Sequence, residues 1–316
     1  MIAPAALLTF ALLLGLVVAP LLNAAAWPSR APGIGMVAWL VLTTSSFSSL
    51  VLAGLSVTVP ELPAADGLAD FFNACSNAMR EHYGTTGGAT IAVAGGGFTL
   101  ALALRVVLVS VGRGGQRRRI RRRHLDLVRM VGRPHARSGV FVVDHPVPAA
   151  YCVPGRPGHI VISQGAVTTL SELELEQVLR HEAAHLARHH HWMISIADSI
   201  AATMFGALGS ARACTRMAEL AEMEADDAAD PRGRGHLAQA VLKLAEGAVQ
   251  PVGVLSAAGG GAEERVRRLA DATPSIGTAM QAALLAACAV TLVLPVTLAV
   301  LPAMDVISQL FCPLIG

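Results

Sequence analysis

Hydrophobic and polar positions divide this chain into two kinds of stretch. Four apolar runs, at 2–22, 34–55, 89–111 and 280–301, each have about the 20 residues that a helix needs to cross a bilayer. Pro20, Pro295 and the glycines at 95–97 fall inside them, which lipid-embedded helices tolerate. The first run opens Met1-Ile2-Ala3-Pro4 with no basic residue before the apolar stretch, so it reads as a retained span rather than a cleaved signal. Between the third and fourth runs the pattern turns amphipathic. Positions 140–144, 151–153 and 159–163 read as short strands, the last two separated by Pro154-Gly155-Arg156-Pro157-Gly158. Ser171 with Glu174 then forms a capping box. Leu175, Val178, Leu179 and Leu186 follow at helical spacing, and no Gly or Pro interrupts 172–196, which predicts one uninterrupted helix. A second, alanine-rich helix is predicted over 212–230. The stretch 192–209 is apolar and nearly span-length. Asp198 argues against burial in lipid, so it reads as a core or membrane-surface helix.

Composition strengthens the membrane reading. Of 316 residues, 53% are hydrophobic and only 15% charged, and the mean hydropathy is +0.55. The formal net charge of +2 gives no general attraction to a polyanion. Local charge sets the expected topology. Arg113 and the run Arg117-Arg118-Arg119-Ile120-Arg121-Arg122-Arg123 follow the third apolar run, whereas the preceding loop carries Glu61, Asp66, Asp70 and Glu81 against Arg80. By the positive-inside rule the arginines are cytosolic and the N-terminus lies outside, giving a multi-pass plasma-membrane protein. The expected organisation is a membrane domain at 1–111 with an extracytoplasmic loop at 56–88, a cytosolic domain at 112–277, and a fourth span with a short tail at 278–316. The arginine run lacks interleaved aromatics and abuts a span, so it points to lipid headgroups, and no direct nucleic-acid binding is expected. Arg105, inside the third run near its basic end, is expected to snorkel toward the headgroups. Leu68, Phe71, Phe72 and Met79 in the outer loop suit an interfacial helix or a sensor of an envelope signal. Cys75 and Cys312 both fall outside, where a disulfide between them is permitted.

The chemistry concentrates at His181-Glu182-Ala183-Ala184-His185. On a helix, residues i and i+4 share a face, so both imidazoles point at one spot where they can hold Zn²⁺, with Glu182 beside them as a candidate base. A catalytic zinc takes a third protein ligand. In the acidic stretch of the second helix, Glu222 and Asp226 are i and i+4 on one face, one able to bind metal and the other to take an imidazole N–H, while Glu224 points elsewhere. His189, His190 and His191 follow the pentapeptide on the same predicted helix, where their spacing carries them past the metal face. They and Arg188 read as surface residues. Strands leading into such a helix suggest a small sheet whose edge accepts an extended peptide.

Taken together, Ala150-Tyr151-Cys152-Val153-Pro154-Gly155, 159–163, 174–185, Glu222-Met223-Glu224-Ala225-Asp226 and Glu264-Arg265-Val266-Arg267-Arg268-Leu269 resemble the integral-membrane gluzincins. These are the BlaR/MecR-type signal-transducing peptidases and the related HtpX and CAAX-prenyl endopeptidase group. The resemblance implies an α+β zincin (gluzincin) domain with a small sheet and the HExxH helix, embedded among four transmembrane α-helices. It implies one Zn²⁺ per chain on His181, His185 and Glu222, Glu182 as catalytic base, and Asp226 behind a ligand imidazole. The layout is most similar to the BlaR/MecR branch, so the implied substrate is a cytosolic protein, such as a helix-turn-helix repressor whose cleavage derepresses genes. The sequence stops after the fourth span, so no penicillin-binding sensor domain is expected. An HtpX-like quality-control protease and a non-catalytic, zinc-stabilised scaffold are the rival readings. Where prenyl-protease relatives often carry His-Pro, this chain has Gly259-Gly260-Gly261-Ala262, which leaves no candidate for the oxyanion stabiliser.

Overall fold

The computed structural model describes residues 2–58, 77, 80, 84–228, 232–247, 257–271 and 275–311, of which the side chains at 86, 257–262 and 301–311 are not described. The expected outer-loop face at Leu68, Phe71, Phe72 and Met79, the Cys75–Cys312 pairing and the side chain of Ala262 fall outside what is described.

Four helices are long and apolar enough to cross a membrane. They are α1 (Ile2–Ala24, with a π-helical stretch at Leu14–Val18), α3 (Pro32–Thr58), the apolar part of α4 (Thr86–Val131) and α11 (Thr278–Phe311), of which Thr278–Val300 is the apolar part. The short α2 (Trp27–Arg30) joins the first two. Hydroxyls inside α3 do not spoil a span, because they bond to carbonyls four residues back, as Ser46 does to Leu42 at 2.9 Å. Ser45 instead donates to the Thr291 carbonyl of α11 at 3.0 Å, tying two of these helices together.

The third apolar helix does not stop at its basic end. α4 continues through the arginine run to Val131 and delivers the chain to a four-stranded sheet, β1 (Arg133–Pro134), β2 (Val140–Val143), β3 (Ala150–Val153) and β4 (His159–Ser163), in the order β1-β2-β4-β3. β2 runs parallel to β4, while β1 pairs antiparallel with β2 and β3 with β4. Every residue of β4 is buried, because both faces of the sheet are covered. Ile160 and Ile162 pack with Leu179 and Leu186 of α6 (Glu172–Ala187), whereas Val161 packs with Leu125 and Val128 at the end of α4. The period-2 alternation of β4 therefore locks the HExxH helix to one face and the arginine-bearing helix to the other. The short α5 (Gln164–Thr169) leads from β4 to α6.

The Ser171–Glu174 capping box is present at the start of α6. Burial alone would raise Glu174, but the Lys243 ammonium of α9 (Arg234–Gly247) and the bonds to Ser171 hold its carboxyl below the ordinary 4.5. Its stabilisation is therefore complete above that value and lost as pH falls through the lowered one. Glu174→Gln should cost about 1.5 kcal/mol near neutrality, the low end for a charge-assisted bond because Lys243 is half-exposed. Denaturant titrations in detergent should show this gap closing in acid; a gap unchanged there would remove the ion pair as its cause.

Two expectations change at this level. The predicted continuous helix over 172–196 is broken: α6 ends at Ala187, His189 takes the left-handed conformation (φ 56°), and α7 runs over His190–Thr203. Asn, Asp and His adopt this conformation more readily than other side chains, so a polar run with no Gly or Pro still turns here. α7 and α8 (Ser210–Asp226) then form a hairpin packed against α3, its turn built on left-handed Phe205, Gly206, Leu208 and Gly209. Arg105 does not simply snorkel. It donates to the Ala202 and Thr203 carbonyls, both at 2.9 Å, and its guanidinium lies 3.6 Å over the Phe205 ring. A cation capping the last carbonyls of α7 satisfies groups that a helix end otherwise leaves unpaired. Asp198 of α7 pairs with Arg113 and Arg117, so its charge is neutralised where the apolar part of α4 ends.

Candidate metal centre

α6 and α8 place their donors on facing surfaces. His181 Nε2 and His185 Nε2 are 3.1 Å apart, and the Glu222 carboxylate lies 3.5 Å from the first and 3.4 Å from the second. Donors about 2.0–2.1 Å from a tetrahedral zinc stand roughly 3.4 Å from one another, so this triangle fits that ion. Asp226, fully buried behind His181, places Oδ1 3.0 Å from Nδ1, at contact distance rather than in a well-aligned hydrogen bond. The structure thus gathers the residues that the sequence pattern singled out, with Glu222 and Asp226 on one face as their spacing implies.

The electrostatics suit a cation. His185 is pushed down to about 4 by burial and by the positive charges of His181, His190 and Arg265, which outweigh the Glu222 carboxylate. His181 is raised to about 9, since Asp226 and Glu222 overcome the opposing effect of burial. With their Nε2 atoms in contact, the two rings cannot both carry a proton there, and metal binding releases such protons. Burial also raises Glu182, with Glu222 adding to the effect against the pull of His181. A carboxylate raised in this way becomes a better proton acceptor.

Sequence reasoning missed three contributors. His190, taken as a surface residue, is 2% exposed. Its Nδ1 lies 2.9 Å from His185 Nδ1, and its Nε2 lies 2.9 Å from Glu224 Oε2. One consistent tautomer assignment has His185 Nδ1–H donating to His190 and His190 Nε2–H donating to Glu224, leaving His185 Nε2 free for a metal. The break at His189 makes this contact possible. Glu224 does point away from the candidate metal face, as expected, and toward His190 and Arg188; Arg188 is exposed, as expected, and pairs with it. His190→Phe should weaken zinc binding by about 10–100-fold, measured by chelator competition. Unchanged affinity would remove the orienting role.

Arg265, on α10 (Ala257–Asp271), is the second contributor. It grips Asp226 with two bonds of 2.9 and 2.7 Å and reaches Glu222 at 3.0 Å. Its motif was visible in the sequence, but nothing local indicated which arginine turns inward. Cys152 of β3 is the third. Burial and the Glu182 carboxylate push its thiol up to about 12, so it is a neutral neighbour of the base. A cavity of about 500 Å³ opens over the site, lined by β3, Glu182, Arg265 and apolar side chains of α9.

An HExxH helix, a carboxylate returned by a second helix and a sheet edge beside them are the donor set and setting of a metallopeptidase. More narrowly, residues 115–255 match the family model for peptidase family M48, a family of metallopeptidases. The matched stretch contains His181, Glu182, His185, Glu222 and Asp226 but ends before Arg265. No solved structure matches the chain.

Proposed function

We propose that the chain is a membrane-embedded zinc metalloendopeptidase that hydrolyses peptide bonds of a cytosolic protein. The convergence of His181, His185 and Glu222 beside a buried Glu182, at the floor of an open cavity, carries this reading. When bound there, Zn²⁺ supplies a Lewis acid and lowers the pKa of water to about 7. Glu182, buried beside the donors with its carboxyl raised, would serve as the base that holds the proton of an attacking water and delivers it to the leaving amine. Arg265 bridges Glu222 and Asp226 and, together with His181, favours their ionised forms. β3 pairs with β4 along one edge only, and among the described residues no strand covers its other edge, where an extended substrate can add by backbone hydrogen bonds. A zinc site that served only as scaffold has no use for Glu182 in the cavity.

In this reading the peptidase lies between the third and fourth spans on the cytosolic side, with the N-terminus outside. Two contacts support placing the α1–α3 connection on that side: Arg268 donates to the Ser29 carbonyl at 3.1 Å, and Gly33 lies against the Glu224 carboxylate. The same layout favours a signalling role of BlaR type, with a transcriptional repressor as substrate, over HtpX-like quality control. Substrate trapping with Glu182→Gln in cells separates them. One dominant DNA-binding partner is the expected result, and a broad set of membrane proteins would transfer the chain to quality control.

A further inference from the structure

A second cavity, of about 910 Å³, runs between α4 and α7 and meets the catalytic cavity at Tyr151 and Cys152, which line both. Its lower end is apolar, formed by Val106 within the third apolar helix and by Ile196 and Ile200 of α7. Its upper end is cationic. Gly114, Arg118 and Arg121 follow at helical spacing on one face of α4, with the glycine leaving room before the arginines. Arg113 and Arg117 are paired with Asp198, whereas Arg118 and Arg121 have no acidic partner among the described residues. From Val106 to Arg118 the helix rises roughly 18 Å. Val106 lies about 7 Å inside the end of the apolar run at Val111, whereas Arg118 and Arg121 lie about 10 and 15 Å beyond it, so their long side chains reach back toward the headgroup layer, which extends about 5–8 Å beyond the hydrocarbon on each side.

An apolar trough at acyl-chain depth, beneath two guanidiniums without an acidic partner whose side chains reach back toward the headgroups, matches the polarity of an anionic amphiphile. We propose that this groove binds one anionic phospholipid, its phosphate on Arg118 and Arg121 and its acyl chains against Val106, Ile196 and Ile200. The inference rests on α4 being a span and is independent of peptidase activity. Because Tyr151 is also held by His124 of α4 at 2.8 Å, an occupied groove touches the strand that borders the catalytic cavity.

Native mass spectrometry of the full chain released from detergent micelles tests the site without a bulk charged membrane. With phosphatidylglycerol in the micelles, the wild type should retain one lipid in preference to phosphatidylcholine. Arg118→Gln with Arg121→Gln should weaken retention by about thirtyfold, from roughly fivefold per arginine at a lipid surface. Arg119→Gln with Arg122→Gln, the same charge change on exposed positions outside the groove, should leave it unchanged. Equal loss in both double variants would reduce the effect to general electrostatics and overturn the proposal. So would competition by glycerol phosphate at the concentration of the lipid, since the acyl chains would then contribute nothing. Unaltered lipid retention in Arg118→Gln/Arg121→Gln, with a raised KM for a peptide substrate, would assign the groove to the polypeptide instead. A catalytically inactive but lipid-retaining protein would count against the peptidase reading alone.

Discussion

Glu182→Gln is expected to keep the zinc of the wild type while lowering peptide hydrolysis by about 10²–10⁴-fold, the range a positioned general base contributes. The substitution preserves shape and the ability to accept a hydrogen bond, and removes only the capacity to take a proton. Glu182 faces the cavity beside His181 and is not one of the three converging donors, so the metal has no reason to leave. The variant must be assayed for zinc content and cleavage on the same preparation. Wild-type rates with zinc in place would exclude Glu182 as the base and reopen the scaffold reading.

Glu222→Ala should lose both zinc and cleavage, with affinity falling by more than the about 10–100-fold that loss of an outer-shell partner costs. Two imidazoles remain, which is short of the three protein ligands that a catalytic zinc uses. The fold should survive, because Arg265 keeps its two bonds to Asp226 when Glu222 is gone. Asp226→Ala differs in kind. It leaves the mostly buried Arg265 with only its 3.0 Å contact to Glu222 and removes the carboxylate behind His181, so it should cost about 3 kcal/mol of stability, the low end for a broken buried pair, as well as metal. Metal analysis alongside denaturant unfolding in detergent distinguishes the two. Glu222→Ala with full zinc would place the third ligand elsewhere, and Asp226→Ala with wild-type stability would show that Glu222 alone suffices to hold Arg265.

Much of this site was legible because its information is local. A capping box, an apolar stripe and two histidines four apart depend only on neighbours along one helix, and so does the shared face of Glu222 and Asp226. The apolar runs are legible for the same reason, since length and composition alone make a helix able to cross a bilayer. His190 was misread because its role depends on a turn. A residue placed by continuing α6 swings away from His185, whereas the left-handed backbone at His189 starts a new helix that brings the ring back. Arg105 was misread because its partners are carbonyls at the end of α7, and a backbone acceptor left by a helix ending has no signature in side-chain pattern.

Sequence alone therefore determined most of the elements and the candidate donors they carry: four apolar helices, a capped HExxH helix, a small sheet and a carboxylate pair in phase. Tertiary structure alone decided which groups meet. It set Arg265 between Glu222 and Asp226, built the His185–His190–Glu224 chain, and joined the cavity over His181 and Glu182 to a groove along α4. The physical reason is range. Propensity, capping and periodicity act within a turn or two of backbone, whereas the meeting of α6, α8 and α10 is settled by packing between surfaces far apart in the chain.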